Sequence, residues 1–207
     1  MKNLIFSLAT AAMVLSGCNT KSQIIVPLSQ SVELETHYQI IWDGVGKAYK
    51  YNNGKWLRAE SYDYQFNVVQ NRMDNQWKSV KTLQRLHPDY DGRAGNRYQT
   101  MYFEVTYQKA ADGKVAANIT STLGNGSGTT DTEFRNSILT MDIGGSKFMP
   151  YNKCRITQHY DYEEGKLTET VELYKEKDGQ EIPFMKNEET AFIFIKSKLD
   201  KAPTIFK

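Results

Sequence analysis

The feature that most constrains the fold of this 207-residue chain is the alternation of apolar and polar side chains with a period of two residues. In one clear example, segment 32–40, a single strand face would carry Val32, Leu34, Thr36, Tyr38 and Ile40. The pattern recurs along the chain, and Asp–Gly or Asn–Gly pairs stand between several of the runs. Because successive side chains of a β-strand point to opposite faces, this pattern predicts half-buried strands joined by tight turns.

Helical periodicity is confined to one short segment. Phe134, Ile138 and Met141 have the spacing of one helix face, and an interior strand fits the same residues equally well. The glycine-rich segment 123–131 is interpreted as a mobile loop at a sheet edge. The sequence therefore predicts an all-β fold: a single antiparallel sandwich or an up-and-down barrel or half-barrel, of about 8–10 strands with at most one short helix.

The amino terminus has the pattern of a secretory signal. Lys2 supplies a positive charge, and residues 4–15 are apolar apart from a serine and a threonine. A helix over these residues would reach only about 18 Å, which is short of the roughly 30 Å thickness of a bilayer core. The segment is therefore interpreted as the apolar region of a signal peptide and not as a membrane span.

The four residues that follow, Leu15-Ser16-Gly17-Cys18, resemble the lipobox of bacterial lipoproteins. The resemblance implies cleavage between Gly17 and Cys18, acylation of the Cys18 thiol and anchoring in the cell envelope. Asn19 in place of an aspartate favours the outer membrane, with the protein facing the periplasm. The alternative is an ordinary secretory signal that is followed by a chance cysteine. Two or more acyl chains are sufficient for stable anchoring in a bilayer.

These features predict three parts of the chain. Residues 1–17 are the signal peptide, residues 18–30 are a lipidated tether, and residues 31–207 are a single β domain in the periplasm. Within the tether, the short apolar run before Pro27 also fits a first edge strand.

Composition excludes several classes of function. A net charge of +2 is too small for a dedicated nucleic-acid binder, and 13 Tyr, 9 Phe and 3 Trp argue against a disordered chain. Two cysteines rule out a disulfide framework, and no two of the three histidines have the spacing of metal ligands. We expect no cofactor and no metal.

Cys154 is the single thiol that remains after lipidation. The neighbouring cations Lys153 and Arg155 could lower its pKa, but a small residue packed at the start of a strand is the favoured interpretation. His159 lies five residues further along and would point to the opposite strand face, so a Cys–His catalytic pair is not expected.

One connection is dense in residue types that bind ligands: His87, Asp89, Asp91, Arg93 and Arg97. The arginines could bind an anion, or they could pair with the aspartates and stiffen the loop, which is the favoured reading. An Asp-x-Asp-Gly sequence also occurs, but its glycine comes too early for an EF-hand calcium loop.

Basic residues also cluster between positions 72 and 97: Arg72, Lys78, Lys81, Arg85, Arg93 and Arg97. They could face anionic lipid headgroups, but a solvated surface is the favoured interpretation.

Large side chains on the predicted strands suggest a function. An apolar cavity could be lined by Tyr62, Tyr64, Phe66, Met101, Phe103 and Tyr107, but a filled core is the favoured interpretation of the same residues. We expect a non-enzymatic lipoprotein that binds a protein partner or an apolar ligand in the envelope. Alternatives are a scaffold of an outer-membrane complex and, less favoured, a hydrolase that uses the 87–97 loop.

Overall fold

A computed structural model describes residues 37–73, 75–109, 114–144 and 150–198 of the chain. The predicted signal peptide, with Gly17 and Cys18 at its cleavage site, and the predicted tether lie outside the described residues. Within the described ranges, no helix has the length and apolar character that are needed to cross a bilayer.

The described residues form eleven strands and one turn of 3₁₀ helix at Glu60–Tyr62. The strands are β1 (His37–Asn52), β2 (Lys55–Arg58), β3 (Tyr64–Met73), β4 (Gln76–Gln84), β5 (Tyr98–Lys109), β6 (Val115–Ser121), β7 (Gly124–Thr130), β8 (Asn136–Ile143), β9 (Lys153–Asp161), β10 (Lys166–Lys177) and β11 (Gln180–Lys198).

The strands form a closed antiparallel barrel in up-and-down order. Each strand from β3 to β11 pairs with the next, and β1 pairs with both β3 and β11. The closing pair runs from Tyr38 opposite Lys198 to Lys50 opposite Met185, so ten strands complete the barrel and β2 extends β1 outside it. The all-β prediction is confirmed, and of its two architectures the barrel is the one that forms. Closure leaves no unpaired edge in the ten-stranded wall.

The prediction of a loop at 123–131 was wrong, because residues Gly124–Thr130 form strand β7. The glycines at 124, 126 and 128 alternate with polar residues that are exposed. A Cβ atom at Gly126 or Gly128 would overlap a backbone carbonyl oxygen of β8, at Thr140 and Ile138 respectively. Glycine is therefore the residue type that permits this close approach of two strands, and it does not mark a break in the sheet.

Segment 134–141 takes the strand alternative rather than the helical one. Strand β8 buries Leu139 and Met141 and leaves Ile138 on the exterior. Phe134 precedes the strand and is only 2% exposed. Its ring reaches the interior from the connection between β7 and β8.

The two ends of the barrel interior differ in chemistry. At one end, here called the aromatic end, edge-to-face and tilted ring contacts at 4.9–5.9 Å join Trp42, Trp77, Tyr107, Phe134 and Tyr160. At the other, here called the loop end, the connection from Arg85 to Arg97 packs against the 3₁₀ turn, and the rings of Tyr62 and Tyr90 lie 5.2 Å apart.

Candidate binding site in the barrel interior

Charged side chains meet in the middle of the barrel, between its two ends. Lys81 of β4 forms an ion pair with Glu189 of β11, and its Nζ lies 3.6 Å from a carboxylate oxygen of Glu169 of β10. The Tyr64 hydroxyl donates a hydrogen bond to Glu189, and the Gln158 amide donates one to Glu169. We call Lys81, Glu169 and Glu189 the central charged cluster.

Strand phase explains why these charges are inside. Lys81 is in phase with the buried residues Trp77 and Leu83 on β4, and its side chain is 12% exposed. The two glutamates occupy equivalent inward positions on β10 and β11 and are 9% and 5% exposed. On each of these strands, one charged residue thus lies on the inner face among mainly apolar residues.

The cluster shifts the pKa values of its members. Burial lowers the pKa of Lys81, but the two carboxylates outweigh this effect and leave the pKa raised. Burial raises the pKa of Glu169, and Lys81 opposes the shift only in part. Burial and the Glu189 carboxylate raise the pKa of Tyr64 well above its usual value, so its hydroxyl stays protonated and donates. One ammonium group thus faces two carboxyl groups, of which Glu169 retains its proton more readily than a free glutamate.

Two cavities flank the central charged cluster. The loop-side cavity has a volume of about 90 Å³, and the aromatic-side cavity has a volume of about 100 Å³. The walls that the two share consist of Lys81, Phe103, Met141, Ile156, Glu169 and Glu189. Each could hold a few water molecules or a compact organic group, and each is smaller than the roughly 300 Å³ at which drug-sized pockets begin.

The loop-side cavity contains polar atoms that lack partners. Arg85 Nη1 donates to the carbonyl of Asn96 and to the side chain of Gln99, both at 3.0 Å. Arg85 Nε and the Oδ1 atom of Asn187, however, are buried and have no hydrogen-bond partner among the described residues. Buried polar groups are nearly always satisfied in folded proteins, so these two atoms mark a place where an additional polar group would fit.

Cys154 lines the same cavity and is 5% exposed. Burial raises the pKa of its thiol to about 12, so the suggestion that Lys153 and Arg155 lower that pKa is wrong. The burial confirms the packed thiol that we favoured. His159 is exposed on the opposite face of β9, as the odd spacing predicts, and cannot activate the thiol.

Most of the six residues that the sequence offers as a cavity lining lie at the two cavities, as in the less favoured of its two interpretations. The two cavities are lined by five of the six predicted residues: Tyr64, Phe66, Met101, Phe103 and Tyr107. Tyr62 is the exception, because it lies at the end of the 3₁₀ turn and contacts Tyr90.

The favoured interpretation of the basic segment as a solvated surface is wrong at three positions. The side chains that lie on the inner side of the barrel are those of Arg72, Lys81 and Arg85. The available signal was strand phase, since Arg72 follows Tyr64, Phe66 and Val68 at even spacing on β3. Lys78 and Arg93 stay at the surface, with side chains that are 26% and 75% exposed.

The five predicted residues of the 87–97 loop do not converge on one point. Arg97 donates hydrogen bonds to four loop carbonyls, the shortest being 2.7 Å to His87 and 2.8 Å to Pro88. Asp91 accepts hydrogen bonds from the Tyr62 hydroxyl and from the backbone N–H of Arg93. The backbone N–H of Asp89 donates to His87 Nδ1 at 3.2 Å, the two side chains approach each other to 3.9 Å, and the Asp89 side chain is 82% exposed. These contacts stiffen the connection that covers the loop end.

Within the ranges that the structure describes, no group of three or more His, Cys, Asp or Glu residues is arranged to hold a metal ion. The central charged cluster contributes two carboxylates and an ammonium group, a set that suits hydrogen bonding more than metal ligation. The chain matches no protein-family model, and no curated protein matches it significantly in sequence.

Proposed function

We propose that the barrel binds a small apolar or amphipathic ligand in its interior and that the chain is a non-enzymatic, lipid-anchored binding module of the bacterial cell envelope. The observation that carries the proposal is the pair of cavities in the barrel interior, on either side of the central charged cluster. A barrel whose interior holds one small ligand is an established use of closed β-sheets.

Unsatisfied polar atoms distinguish this interior from a filled core. A buried donor or acceptor without a partner costs about 1–3 kcal/mol. Arg85 Nε and Asn187 Oδ1 carry this cost beside the loop-side cavity. A ligand with one polar group would recover it, while its apolar part would displace water from the surrounding side chains.

The cavity walls can adapt to a ligand larger than the present volumes. Three methionines line the loop-side cavity, Met101, Met141 and Met185, and Met141 also lines the aromatic-side cavity. Methionine side chains are unbranched and fill irregular spaces at low cost, so they can repack around a guest.

Filling the cavities tests the proposal. Val105 lines the aromatic-side cavity and Val171 lines the loop-side cavity. We expect the double variant Val105→Phe, Val171→Phe to bind 1-octanol at least tenfold more weakly than the wild type, measured by the fluorescence of Trp42 and Trp77. Val45→Phe is the matched control, because Val45 is 49% exposed on the exterior. Unchanged octanol affinity in a folded double variant would overturn the proposal.

The envelope location rests on the lipobox resemblance at Leu15–Cys18. We expect Cys18→Ala to abolish metabolic labelling with a fatty-acid analogue, whereas Cys154→Ala keeps the label. Labelling that persists in Cys18→Ala would contradict the anchor, and the binding function of the barrel would be unaffected.

A second candidate function is assembly with an envelope protein, and exposed apolar residues on the barrel wall favour it. Phe192 and Phe194 of β11 are 52% and 68% exposed, and Ile195 pairs with Ile41 of β1. Large exposed apolar residues that cluster are typical of interaction surfaces. A photo-crosslinking amino acid at position 194 should give one reproducible adduct in intact cells; the absence of an adduct would speak against assembly through this surface.

A further inference from the structure

Arg72, at the aromatic end, is a buried cation with no hydrogen-bond acceptor. The residue is 0% exposed, and its Nε, Nη1 and Nη2 atoms have no partner among the described residues. The indole N–H of Trp77 is likewise unpartnered. A guanidinium group is always protonated in proteins, so this end of the barrel holds a fixed positive charge and several unused donors.

Aromatic rings provide part of the compensation. The Cζ atom of Arg72 lies 4.8 Å from the centre of the Phe134 ring and 5.7 Å from the centre of the Trp77 ring. Attraction to ring faces offsets only a fraction of the cost of removing a full charge from water. The missing component is an acceptor, and an anionic one would satisfy both the donors and the charge.

Trp77 connects this donor cluster to the proposed ligand space. Its ring lines the aromatic-side cavity, whose other walls include Phe66, Val105, Ile119 and Leu167. A molecule with an acidic group at Arg72 and Trp77 would therefore extend its apolar part along this cavity. The cavity is compact, and a planar carboxylate is the anion that matches a guanidinium in the smallest space.

Phe134, whose ring contacts Arg72 at the aromatic end, has a strained backbone conformation. Its φ angle is +58°, a value that bulky residues rarely adopt. The hydroxyl of Tyr162 donates to its carbonyl oxygen at 2.9 Å, and its ring contacts Tyr107 at 4.9 Å. Strain of this kind is found where the surrounding structure holds a residue over a functional position. Movement of Phe134 would give access to Arg72.

We propose that the aromatic end recognises the carboxylate of an amphipathic monocarboxylic acid, with Arg72 and Trp77 as donors and the apolar chain in the aromatic-side cavity. The proposal rests on the interior binding function and adds the class of ligand. It assigns Arg72 to binding, because within the described structure this guanidinium makes no hydrogen bond that would support the fold.

Paired titrations with octanoate and 1-octanol test the proposal on the purified full chain. We expect octanoate to bind at least tenfold more tightly than 1-octanol. Equal affinities would overturn the carboxylate assignment and leave the interior binding function intact. Binding of neither probe would overturn both.

Two variants test whether Arg72 and Trp77 bind the carboxylate. Arg72→Met should reduce octanoate affinity at least tenfold, to the level of octanol, while the octanol affinity stays unchanged and Tm stays equal or rises. A merely structural arginine would instead lower Tm and weaken both probes equally, which would overturn the assignment. Trp77→Phe removes one donor and keeps an aromatic ring, and it should weaken octanoate binding threefold to tenfold more than it weakens octanol binding. Arg155→Met is the control, because Arg155 lies on the exterior and pairs with Glu181; octanoate affinity should not change.

Discussion

Arg72 and Lys81 are cations on the inner faces of adjacent strands, and they meet opposite surroundings. Lys81 faces two carboxyl groups: it forms an ion pair with Glu189, and its Nζ lies 3.6 Å from an oxygen of Glu169. Arg72 faces two aromatic rings and has no hydrogen-bond acceptor among the described residues. The same strand pattern therefore produces two kinds of buried charge: one completed by the protein, and one left with free donors.

A third basic residue lies between these extremes. Arg97 has no carboxylate partner in the loop that it crosses, but its guanidinium donates to four carbonyl oxygens. The partners of a cation, more than its burial, therefore decide whether it supports the fold. We therefore expect substitution to cost most stability at Lys81, less at Arg97 and least at Arg72.

The largest expected effect is that of Lys81→Met. This change leaves Glu169 and Glu189 buried without a counter-charge, and we expect a loss of about 3–5 kcal/mol in the free energy of unfolding. Urea denaturation followed by circular dichroism measures it. The control is Lys78→Met on the outer face of the same strand, where a loss of about 0–1 kcal/mol is expected. Equal losses at the two positions would contradict the role of the central charged cluster.

Arg97→Met should have the second-largest effect. It removes charge-assisted hydrogen bonds to several loop carbonyls, so a loss of about 1.5–3 kcal/mol is expected by the same denaturation assay. Arg93→Met, at a side chain that is 75% exposed, should change stability by less than about 0.5 kcal/mol. A larger effect at Arg93 than at Arg97 would show that the loop is stabilised in another way.

Glu169→Gln should change how stability depends on pH. Because burial raises the pKa of Glu169, its proton contributes stability below the ordinary glutamate value of 4.5, and this contribution is lost as pH rises through the raised pKa. The variant should therefore gain stability relative to the wild type as pH increases above about 4.5. Denaturation of both proteins from pH 4 to pH 8 measures this difference. The opposite trend would mean that Lys81 outweighs burial at this carboxyl group.

The smallest expected effect is that of Asp89→Ala in the loop that we singled out as a possible hydrolase site. The Asp89 side chain is 82% exposed and contacts His87 only at 3.9 Å. We expect stability and octanol affinity to change by less than about 0.5 kcal/mol each. A larger loss of octanol affinity would indicate that octanol binds at this loop and not in the barrel interior.

The strands could be predicted because alternation is a local property of the sequence. The inward set on β3 follows directly from the even spacing of Tyr64, Phe66 and Val68. Strand β7 could not be predicted, because its glycines are required by the close approach of the next strand, β8, and segment 123–131 alone does not show that approach. Closure of the barrel is of the same kind, since the pairing of β1 with β11 leaves no mark in either strand alone.

The residues that line the interior site could be predicted from the sequence, but the pairing of its charges could not. The cavity-lining aromatics followed from strand phase, and phase alone also places Arg72 and Lys81 inside with their apolar neighbours. We favoured a solvated surface for the basic segment because Lys78, Lys81 and Arg85 do not all fall on one strand face. Which of them meets a counter-charge depends on Glu169 and Glu189, about one hundred residues further along the chain. Spacing within a strand carries no information on that pairing.

The most direct test of the central claim, that the interior takes a ligand, is a titration with 1-octanol followed by methyl NMR of ¹³C-methyl methionine. Met141 lines both cavities, whereas Met73 lines neither. We predict saturable shifts of the Met141 methyl signal, with the Met73 signal unchanged. A Met141 signal that stays fixed at saturating octanol would contradict the account.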